Sequence, residues 1–220
     1  SGLPLLLIKD IPPQSAYPRL TLERPQIYYG ELTSAPAVAN SEEREFDYPS
    51  GQQNVYIHYP GEGGVAMRNL WRKFVFGWMF DGTRLLLSTY PRPESRMMFH
   101  RQIVDRLNTL APFLEYDADP YVTIVDGRLK WIVDAYTRSS FYPYSEEFTA
   151  QEFIQVRDGV SQLSTGVADY LSGANYVRNS VKAVVDAYDG SVDFYIFEEE
   201  DPLINAWRRA FPDLFKSEPE

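Results

Sequence analysis

The 220-residue sequence contains no cysteine, only two histidines and comparatively few basic residues. Without cysteine the chain has no disulfide, no thiol nucleophile and no thiolate metal site. Lysine and arginine number 21 against 31 aspartates and glutamates, for a formal net charge of −10. Because this balance offers no overall positive field to neutralise phosphates, we expect no nucleic acid partner. An anionic membrane surface would also repel the chain on average, which leaves only local basic patches open to such contacts.

Long apolar runs are missing as well. The longest, Phe74–Phe80, is far shorter than the roughly 18 residues that a membrane-spanning helix needs. At 44% apolar and 24% charged residues, the composition is otherwise that of a folded globular chain. The chain begins without methionine and ends directly after an apparent helix, so we expect a segment of a longer protein.

Proline is frequent near the start of the chain, and short strands are predicted after it. Residues 1–25 contain five prolines and are predicted to form an extended arm without regular structure. Strands are predicted at 26–32, 45–48 and 54–59 from their aromatic and β-branched residues. In the third of these, apolar side chains alternate with Tyr56 and His58, as in a half-buried strand.

The hydrophobic period then changes to that of a helix. Apolar residues recur at i, i+3, i+4, i+7, i+8 and i+11, which predicts a helix over about 66–80. The recurring residues are Met67, Leu70, Trp71, Phe74, Val75 and Trp78. Phe76, Met79 and Phe80 widen this apolar face. We therefore expect it to be deeply buried, with Arg68, Arg72 and Lys73 on the opposite side.

Three further helices are predicted. A short one covers 83–88, and a longer one covers 94–110 and ends before Pro112. The last begins with Asp201 as its N-cap and Pro202 in its first turn. Its expected buried residues are Leu203, Ala206, Trp207 and Ala210.

Two related segments, each with an Asp-Gly pair between apolar runs, predict β-hairpins. Asp126–Gly127 and Asp189–Gly190 suit the two central positions of a type I′ turn. The strands are expected at 121–125 and 129–136 in the first hairpin, and at 181–188 and 191–197 in the second. We therefore assign each aspartate to turn chemistry and expect a positive φ at each glycine.

The segment between the hairpins allows two interpretations. Residues 138–174 are rich in serine, threonine, glycine and tyrosine. They either contain a helix, with residues 149–152 as a capping box, or form a long variable surface insertion. Taken together, the pattern predicts an α+β fold of antiparallel β-hairpins packed with two or three helices. We expect residues 26–216 to form a single α+β domain that carries this insertion.

Nine short motifs, in order, resemble one protein family. The motifs are Pro25–Glu31, Glu45–Pro49, Glu94–Arg96, Ala111–Leu114, Asp119–Tyr121, Asp126–Arg128, Asp134–Tyr136, Asn175–Val181 and Phe211–Phe215. They are similar to uncharacterised protein family 0182, a set of large bacterial multi-pass membrane proteins. The resemblance covers roughly residues 8–215 and is interrupted mainly at 138–174.

The resemblance has consequences for location and partners. It implies an intact protein with a bundle of membrane helices towards its N-terminus, followed by a large domain outside the cytoplasm. This chain would be part of that extracytoplasmic domain, with its own transmembrane helices as partners. A further protein or envelope partner is left open. The family brings no activity, catalytic residue or cofactor to this chain.

A glycine-rich turn is the candidate binding site. Gly61, Gly63 and Gly64 precede the first predicted helix, which carries Arg68. The free N–H groups of a helix N-terminus can hold an anion. Glu62 would repel a phosphate, however, and the Walker lysine and the dinucleotide spacing are both missing. An ordinary strand-to-helix turn is the alternative interpretation.

No metal or cofactor is assigned. Asp117 and Asp119 alternate as calcium ligands do, but the rest of the EF-hand pattern is missing. With His58 and His100 as the only histidines, no zinc-protease or nucleophile-elbow motif occurs.

Two hypotheses for function remain. The first is a non-catalytic binding, scaffold or sensing module in the cell envelope. The alternative is an envelope enzyme acting on a glycan or lipid-linked substrate, which the acidic, tyrosine-rich composition favours. Seven tyrosines could line a glycan-binding face, although cross-strand packing also explains them. They are Tyr28, Tyr29, Tyr56, Tyr59, Tyr136, Tyr142 and Tyr144.

Overall fold

The computed structural model describes residues 6–80, 89–148, 152–157, 160–165 and 172–216. Within these ranges it contains short and long β-strands and three α-helices. Strands whose pairing is mostly antiparallel, combined with helices, confirm the predicted α+β class.

The chain divides into two compact units. The first comprises residues 1–106, 122–131 and 185–191, and the second comprises 107–121, 132–184 and 192–220. The single domain over 26–216 stays a prediction.

Short strands dominate the first unit. They are β1 (Ile8–Lys9), β2 (Gln14–Ser15), β3 (Ala37–Ala39), β4 (Glu45–Ser50), β5 (Gln53–Ile57), β6 (Val65–Ala66) and β7 (Arg96–Met98). β1 pairs with β2, β4 pairs with β5, and β7 lies between β3 and β6, all antiparallel. The strands predicted at 45–48 and 54–59 are therefore confirmed. The expectation of an arm without regular structure is wrong, because β1, β2 and a 3-10 helix at Pro18–Leu20 lie within it.

Residues 26–32 form no strand. The backbone N–H groups of Tyr28 and Tyr29 both donate to the carbonyl of Ala187, at 2.8 and 2.9 Å. Neighbouring N–H groups of a strand point in opposite directions, so two bonds to one oxygen require a bend. The aromatic pattern of this segment reflects burial in a core.

The helices of the first half differ from the prediction at their starts. Helix α1 covers Leu70–Met79, and the oxygen of its N-cap, Asn69, accepts from Arg72 N at 2.9 Å. Helix α2 covers only Ile103–Leu110, because the preceding residues form β7 instead. His100 has a φ of +48°, which turns the chain between strand and helix. The helix predicted at 83–88 lies outside the described residues.

The remaining strands are mostly longer. They are β8 (Glu115–Tyr116), β9 (Tyr121–Val125), β10 (Arg128–Ser139), β11 (Glu152–Arg157), β12 (Val160–Thr165), β13 (Tyr176–Asp186), β14 (Val192–Ile196) and β15 (Phe215–Lys216). One sheet has the order β15-β14-β13-β10-β8, with β9 paired to the start of β10. β11 and β12 form an antiparallel hairpin where a helix was one of the two alternatives. Residues 149–151 of the capping box lie outside the described part of the chain.

Helix α3 covers Pro202–Ala210 and confirms the predicted N-cap, because the Asp201 carboxylate accepts from Leu203 N at 2.9 Å. Its buried residue is Ile204, whereas Ala206 and Ala210 are exposed, contrary to the expected buried face. In the second unit, the ring of Trp207 stacks on Phe113 with centroids 4.2 Å apart. This contact anchors the helix.

Both predicted hairpins are present, but their turns differ. Asp126 and Gly127 both have positive φ, at +50° and +73°, as a type I′ turn requires. In the second turn only Gly190 takes a left-handed backbone, with φ +69°. That turn is longer, because Asp186 N donates to Ser191 O at 2.9 Å.

Replacing Gly190 with alanine is expected to lower the free energy of unfolding by about 2–3 kcal/mol. A Cβ there would lie 2.6 Å from the ring of Tyr29, which is fully buried. At Gly127 the nearest atom is a side-chain carbon of the exposed Glu23, at 2.9 Å, so Gly127→Ala is expected to cost only about 1 kcal/mol. Denaturant unfolding of both variants checks the order, and equal losses would contradict the packing argument.

Candidate docking surface

The glycine-rich turn packs against the second hairpin turn inside the first unit. Tyr59 donates its hydroxyl proton to the Asp189 carboxylate at 2.7 Å and accepts from Gly63 N at 2.8 Å. A Cβ at Gly61 would lie 2.4 Å from the Tyr59 ring, and one at Gly63 would lie 2.4 Å from Asp189 O. Gly64 has a φ of +70°. The glycines are therefore required by close packing and by backbone conformation.

The predicted anion-binding residues are only partly brought together. Gly61 and Arg68 line one depression of about 400 Å³. The helix begins later than predicted, at Leu70, so its N-terminal N–H groups do not belong to the glycine turn. The N–H groups of Glu62 and Gly63 already donate to Asp189 and Tyr59. Anion binding by Gly61, Gly63, Gly64 and Arg68 stays a prediction.

An ion cluster around one buried carboxylate adjoins this turn, and it was not predicted from the sequence. The Asp186 carboxylate is fully buried and accepts from Lys130 Nζ at 2.6 Å and from Arg128 at 3.2 Å. Arg128 also donates to Asp189. The sequence signal for the cluster was Asp186, a charged residue within the otherwise apolar run Val184–Ala187. Asp189, assigned to the turn alone, also holds the cluster together.

The Asp189 carboxylate is held in its ionised form. Burial raises its pKa, and hydrogen bonds from Tyr59, Arg128 and the Glu62 N–H more than offset this, so the pKa lies below its usual value. Burial and the bond to Asp189 raise the pKa of the Tyr59 hydroxyl, which keeps it protonated as a donor. The proton of this pair therefore stays on the Tyr59 hydroxyl and the negative charge on the Asp189 carboxylate.

A second fully engaged carboxylate lies in the second unit. Asp201 is buried and accepts from Thr137 and Ser180 at 2.5 Å each, and from Tyr176 at 2.7 Å. Leu203 N supplies the helix-capping bond. Its acceptor positions are thus used by structural donors.

Three of the seven predicted glycan-binding tyrosines, Tyr28, Tyr29 and Tyr59, pack in one cluster instead of on an exposed face. Tyr29, Tyr59 and Tyr188 belong to a buried cluster, with Tyr28 packed against it. The Tyr59 and Tyr188 rings stack at 5.0 Å. Within the first unit, only Tyr56 of the predicted set is exposed. Cross-packing of aromatic side chains therefore explains Tyr28, Tyr29 and Tyr59.

The acidic pair Asp117 and Asp119 forms a local turn. The N–H of Asp119 is 3.4 Å from an Asp117 carboxylate oxygen. Among the residues that the structure describes, no group of three or more histidine, aspartate or glutamate side chains could hold a metal ion.

Helix α1 presents an apolar face to solvent, which is the most distinctive surface of the first unit. We call it the α1 apolar face; it consists of Leu70, Trp71, Phe74, Val75, Trp78 and Met79. Trp78 and Leu70 are each 83% exposed, and Trp71 is 69% exposed. The prediction of deep burial is therefore wrong for this face.

The helix is attached by its opposite side. Phe76 and Gly77 are the buried residues of α1. Phe76 packs in a core with Met67 and Met97, and its ring lies 6.1 Å from that of Phe99. Because only this narrow strip of the helix packs against the rest of the unit, the wider α1 apolar face remains exposed.

The sequence around this face is cationic. Between Val65 and Phe80 there are three basic residues, Arg68, Arg72 and Lys73, and no acidic residue. Arg72 is exposed and donates to the carbonyl of Ala66 at 3.0 Å. The segment therefore carries a charge opposite in sign to that of the chain.

No helix in the described ranges is long and apolar enough to cross a membrane.

Comparisons with known proteins identify one family. The family model described as "Uncharacterised protein family (UPF0182)" matches residues 1–220. A UPF0182 protein of Sulfurovum sp. (strain NBC37-1) is 42% identical over 216 residues, which cover 98% of this chain and 22% of the relative. One of Methanospirillum hungatei JF-1 is 44% identical over 216 residues, with the same shares covered.

A third relative has similar proportions. The UPF0182 protein of Synechococcus sp. (strain JA-2-3B'a(2-13)) is 43% identical over 221 residues, covering 98% of this chain and 24% of the relative. The chain thus spans about a quarter or less of the length of these relatives. No solved structure matches the chain.

Proposed function

Since the chain belongs to the uncharacterised protein family UPF0182, we propose that it is a non-catalytic docking module of a longer multi-pass membrane protein, on the extracytoplasmic side. The observation that carries the docking function is the α1 apolar face. An exposed contiguous patch of large apolar side chains marks an interaction site in a folded protein. This chain corresponds to 22–24% of the length of the relatives, so the rest of such a protein is available to contact this face.

The non-catalytic assignment rests on how the buried carboxylates are used. Asp186, Asp189 and Asp201 each accept hydrogen bonds from several donors of the fold. The pKa values of Asp189 and Asp201 are lowered, the reverse of what a general acid at neutral pH requires. These carboxylates act in structure, which favours a binding role over the alternative of a glycan- or lipid-directed enzyme.

The location and the docking function are tested together by cysteine labelling. The chain has no cysteine of its own, so a single introduced thiol reports on one position once any other cysteine of the full-length protein is replaced. Tyr144 is fully exposed in the second unit and serves as the reference position, and Trp78 reports on the α1 apolar face.

In intact cells producing the full-length protein, we expect a membrane-impermeant maleimide to label Tyr144→Cys. We expect Trp78→Cys to be protected in the assembled protein and labelled after denaturation. Labelling of Tyr144→Cys only after the membrane is permeabilised would refute the extracytoplasmic location. Labelling of Trp78→Cys at the same rate as Tyr144→Cys would refute docking through α1.

A further inference from the structure

We infer that the partner of the α1 apolar face is the interface of a lipid bilayer that carries anionic headgroups. The inference rests on the proposed docking function and names the partner of the same surface. Three properties of α1 support it: its geometry, its choice of apolar residues and the charge around it.

The geometry is that of a helix lying in the membrane plane. Leu70, Phe74 and Trp78 form one row at i, i+4 spacing, and Trp71, Val75 and Met79 form a second row beside it. At 3.6 residues per turn, the two rows cover about half of the helix circumference. The 10-residue helix is about 15 Å long, which suits burial along the interface and is too short to cross it.

The apolar residue types favour lipid over other transmembrane helices. Helices that pack against each other in a membrane use small residues at their contacts, and the α1 apolar face has none. The only small residue of helix α1, Gly77, lies on the buried side of the helix. Trp71 and Trp78 are both exposed, and tryptophan is the side chain that concentrates at membrane–water interfaces. The side chains of the α1 apolar face are therefore those expected at the boundary between lipid headgroups and acyl chains.

The charge around the helix selects anionic headgroups. Arg72 borders the α1 apolar face next to Met79, and Arg68 precedes the helix; both are exposed, whereas Lys73 is half-buried on the attached side between Phe76 and Gly77. The chain as a whole carries −10, so an anionic bilayer would repel most of its surface. The segment at 65–80, with three basic residues and no acidic one, is a local basic region that orients the module with α1 towards the lipid.

Vesicle flotation of the 220-residue chain tests the inference. The probes are phosphatidylcholine vesicles and vesicles of phosphatidylcholine mixed with phosphatidylglycerol. The first variant is Trp71→Ser with Trp78→Ser, and its matched control removes two exposed aromatic residues of the second unit, Phe141→Ser with Tyr144→Ser. Thermal unfolding followed by circular dichroism shows that each variant is folded.

A second pair of variants separates charge from apolar contact. It compares Arg68→Gln with Arg72→Gln against the exposed pair Arg208→Gln with Arg209→Gln on α3. Both double variants remove two positive charges, so only the position differs. Raising the salt concentration gives an independent measure, because surface electrostatic attraction is screened by ions.

We expect the unchanged chain to float with the mixed vesicles and more weakly with neutral ones. Loss of Trp71 and Trp78 should lower the bound fraction about tenfold or more, and loss of Arg68 and Arg72, or high salt, should lower binding to the mixed vesicles by about tenfold. The two control variants should bind as the unchanged chain does.

Three results would overturn the inference. The first is no binding to either vesicle, and the second is an equal loss in the control variants. The third is a chain that does not bind vesicles but self-associates, and whose Trp71→Ser, Trp78→Ser variant no longer self-associates. That result would assign the α1 apolar face to contact with a second copy of the chain. Protection of Trp78→Cys in the full-length protein without vesicle binding would remove the lipid assignment and leave the docking function standing.

Discussion

Replacing Asp201 with alanine is expected to lower the free energy of unfolding by about 3–5 kcal/mol. The carboxylate caps α3 through Leu203 N and accepts the hydroxyl protons of Thr137, Ser180 and Tyr176. Thr137 and Ser180 are almost fully buried, so their hydroxyls would be left without this acceptor. A buried polar group without a partner costs its full desolvation penalty.

Urea unfolding followed by circular dichroism measures the change, with Glu200→Ala as the control. Glu200 is exposed and lies one residue before Asp201, so its removal should change stability by less than about 0.5 kcal/mol. Asp201→Asn keeps a good N-cap residue but loses an acceptor, and it should fall between the two. A loss of less than about 1 kcal/mol in Asp201→Ala would show that the network contributes little beyond the cap.

The same residue predicts a pH dependence. Burial raises the pKa of Asp201, but hydrogen bonds from Ser180, Thr137 and Tyr176 outweigh it and lower the folded-state pKa below its usual value. A lowered folded-state pKa stabilises the fold above the unfolded-chain value of about 3.9, and the contribution is lost as the pH falls through the folded-state pKa. The stability difference between the unchanged chain and Asp201→Asn should therefore shrink under acid conditions.

Features with a local cause could be predicted from the sequence. Asp126 and Gly127 form a two-residue turn because both adopt a positive φ. Helix α3 begins at Pro202 because Asp201 caps it and proline suits its first turn. The strands at Glu45–Ser50 and Gln53–Ile57 have alternating side chains and a turn between them. In these cases tertiary contacts and local preference agree.

Features decided by distant contacts could not be predicted. Residues 94–100 have helical character in sequence, yet Arg96–Met98 is a strand because it lies between β3 and β6. Tyr28 and Tyr29 are residue types that favour strands, but their N–H groups both donate to the carbonyl of Ala187, which a strand does not allow. Tertiary context overrides local propensity in both places.

The docking surface was half predictable. The apolar period identified α1 as a helix, but a period does not tell which side the rest of the molecule covers. Phe76 packs in the core together with Met67 of the predicted stripe. Leu70, Trp71 and Trp78 are instead exposed.

Replacing Asp186 with alanine is the second change with a large expected effect, a loss of about 3–5 kcal/mol in the free energy of unfolding. The carboxylate is fully buried and accepts from Arg128, from Lys130, and from the N–H groups of Tyr188 and Asp189 at 2.8 Å each. Without it, two cations and two turn N–H groups lose their common acceptor. Lys130, whose side chain is only 20% exposed, would lose its carboxylate partner, and Arg128 would keep only Asp189. Partly buried charges and N–H groups that lose their acceptor are costly.

Asp193→Ala is the matched control in urea unfolding. Asp193 also pairs with a lysine, Lys216, at 2.6 Å, but that lysine side chain is 58% exposed, so the loss should be below about 1 kcal/mol. Asp186→Asn keeps an oxygen for the turn N–H groups but not the negative charge, and it should lie between the two. If Asp186→Ala matched Asp193→Ala, the cluster would not be holding the turn. A carboxylate that proved dispensable for folding would then need another role, and the non-catalytic assignment would lose one of its supports.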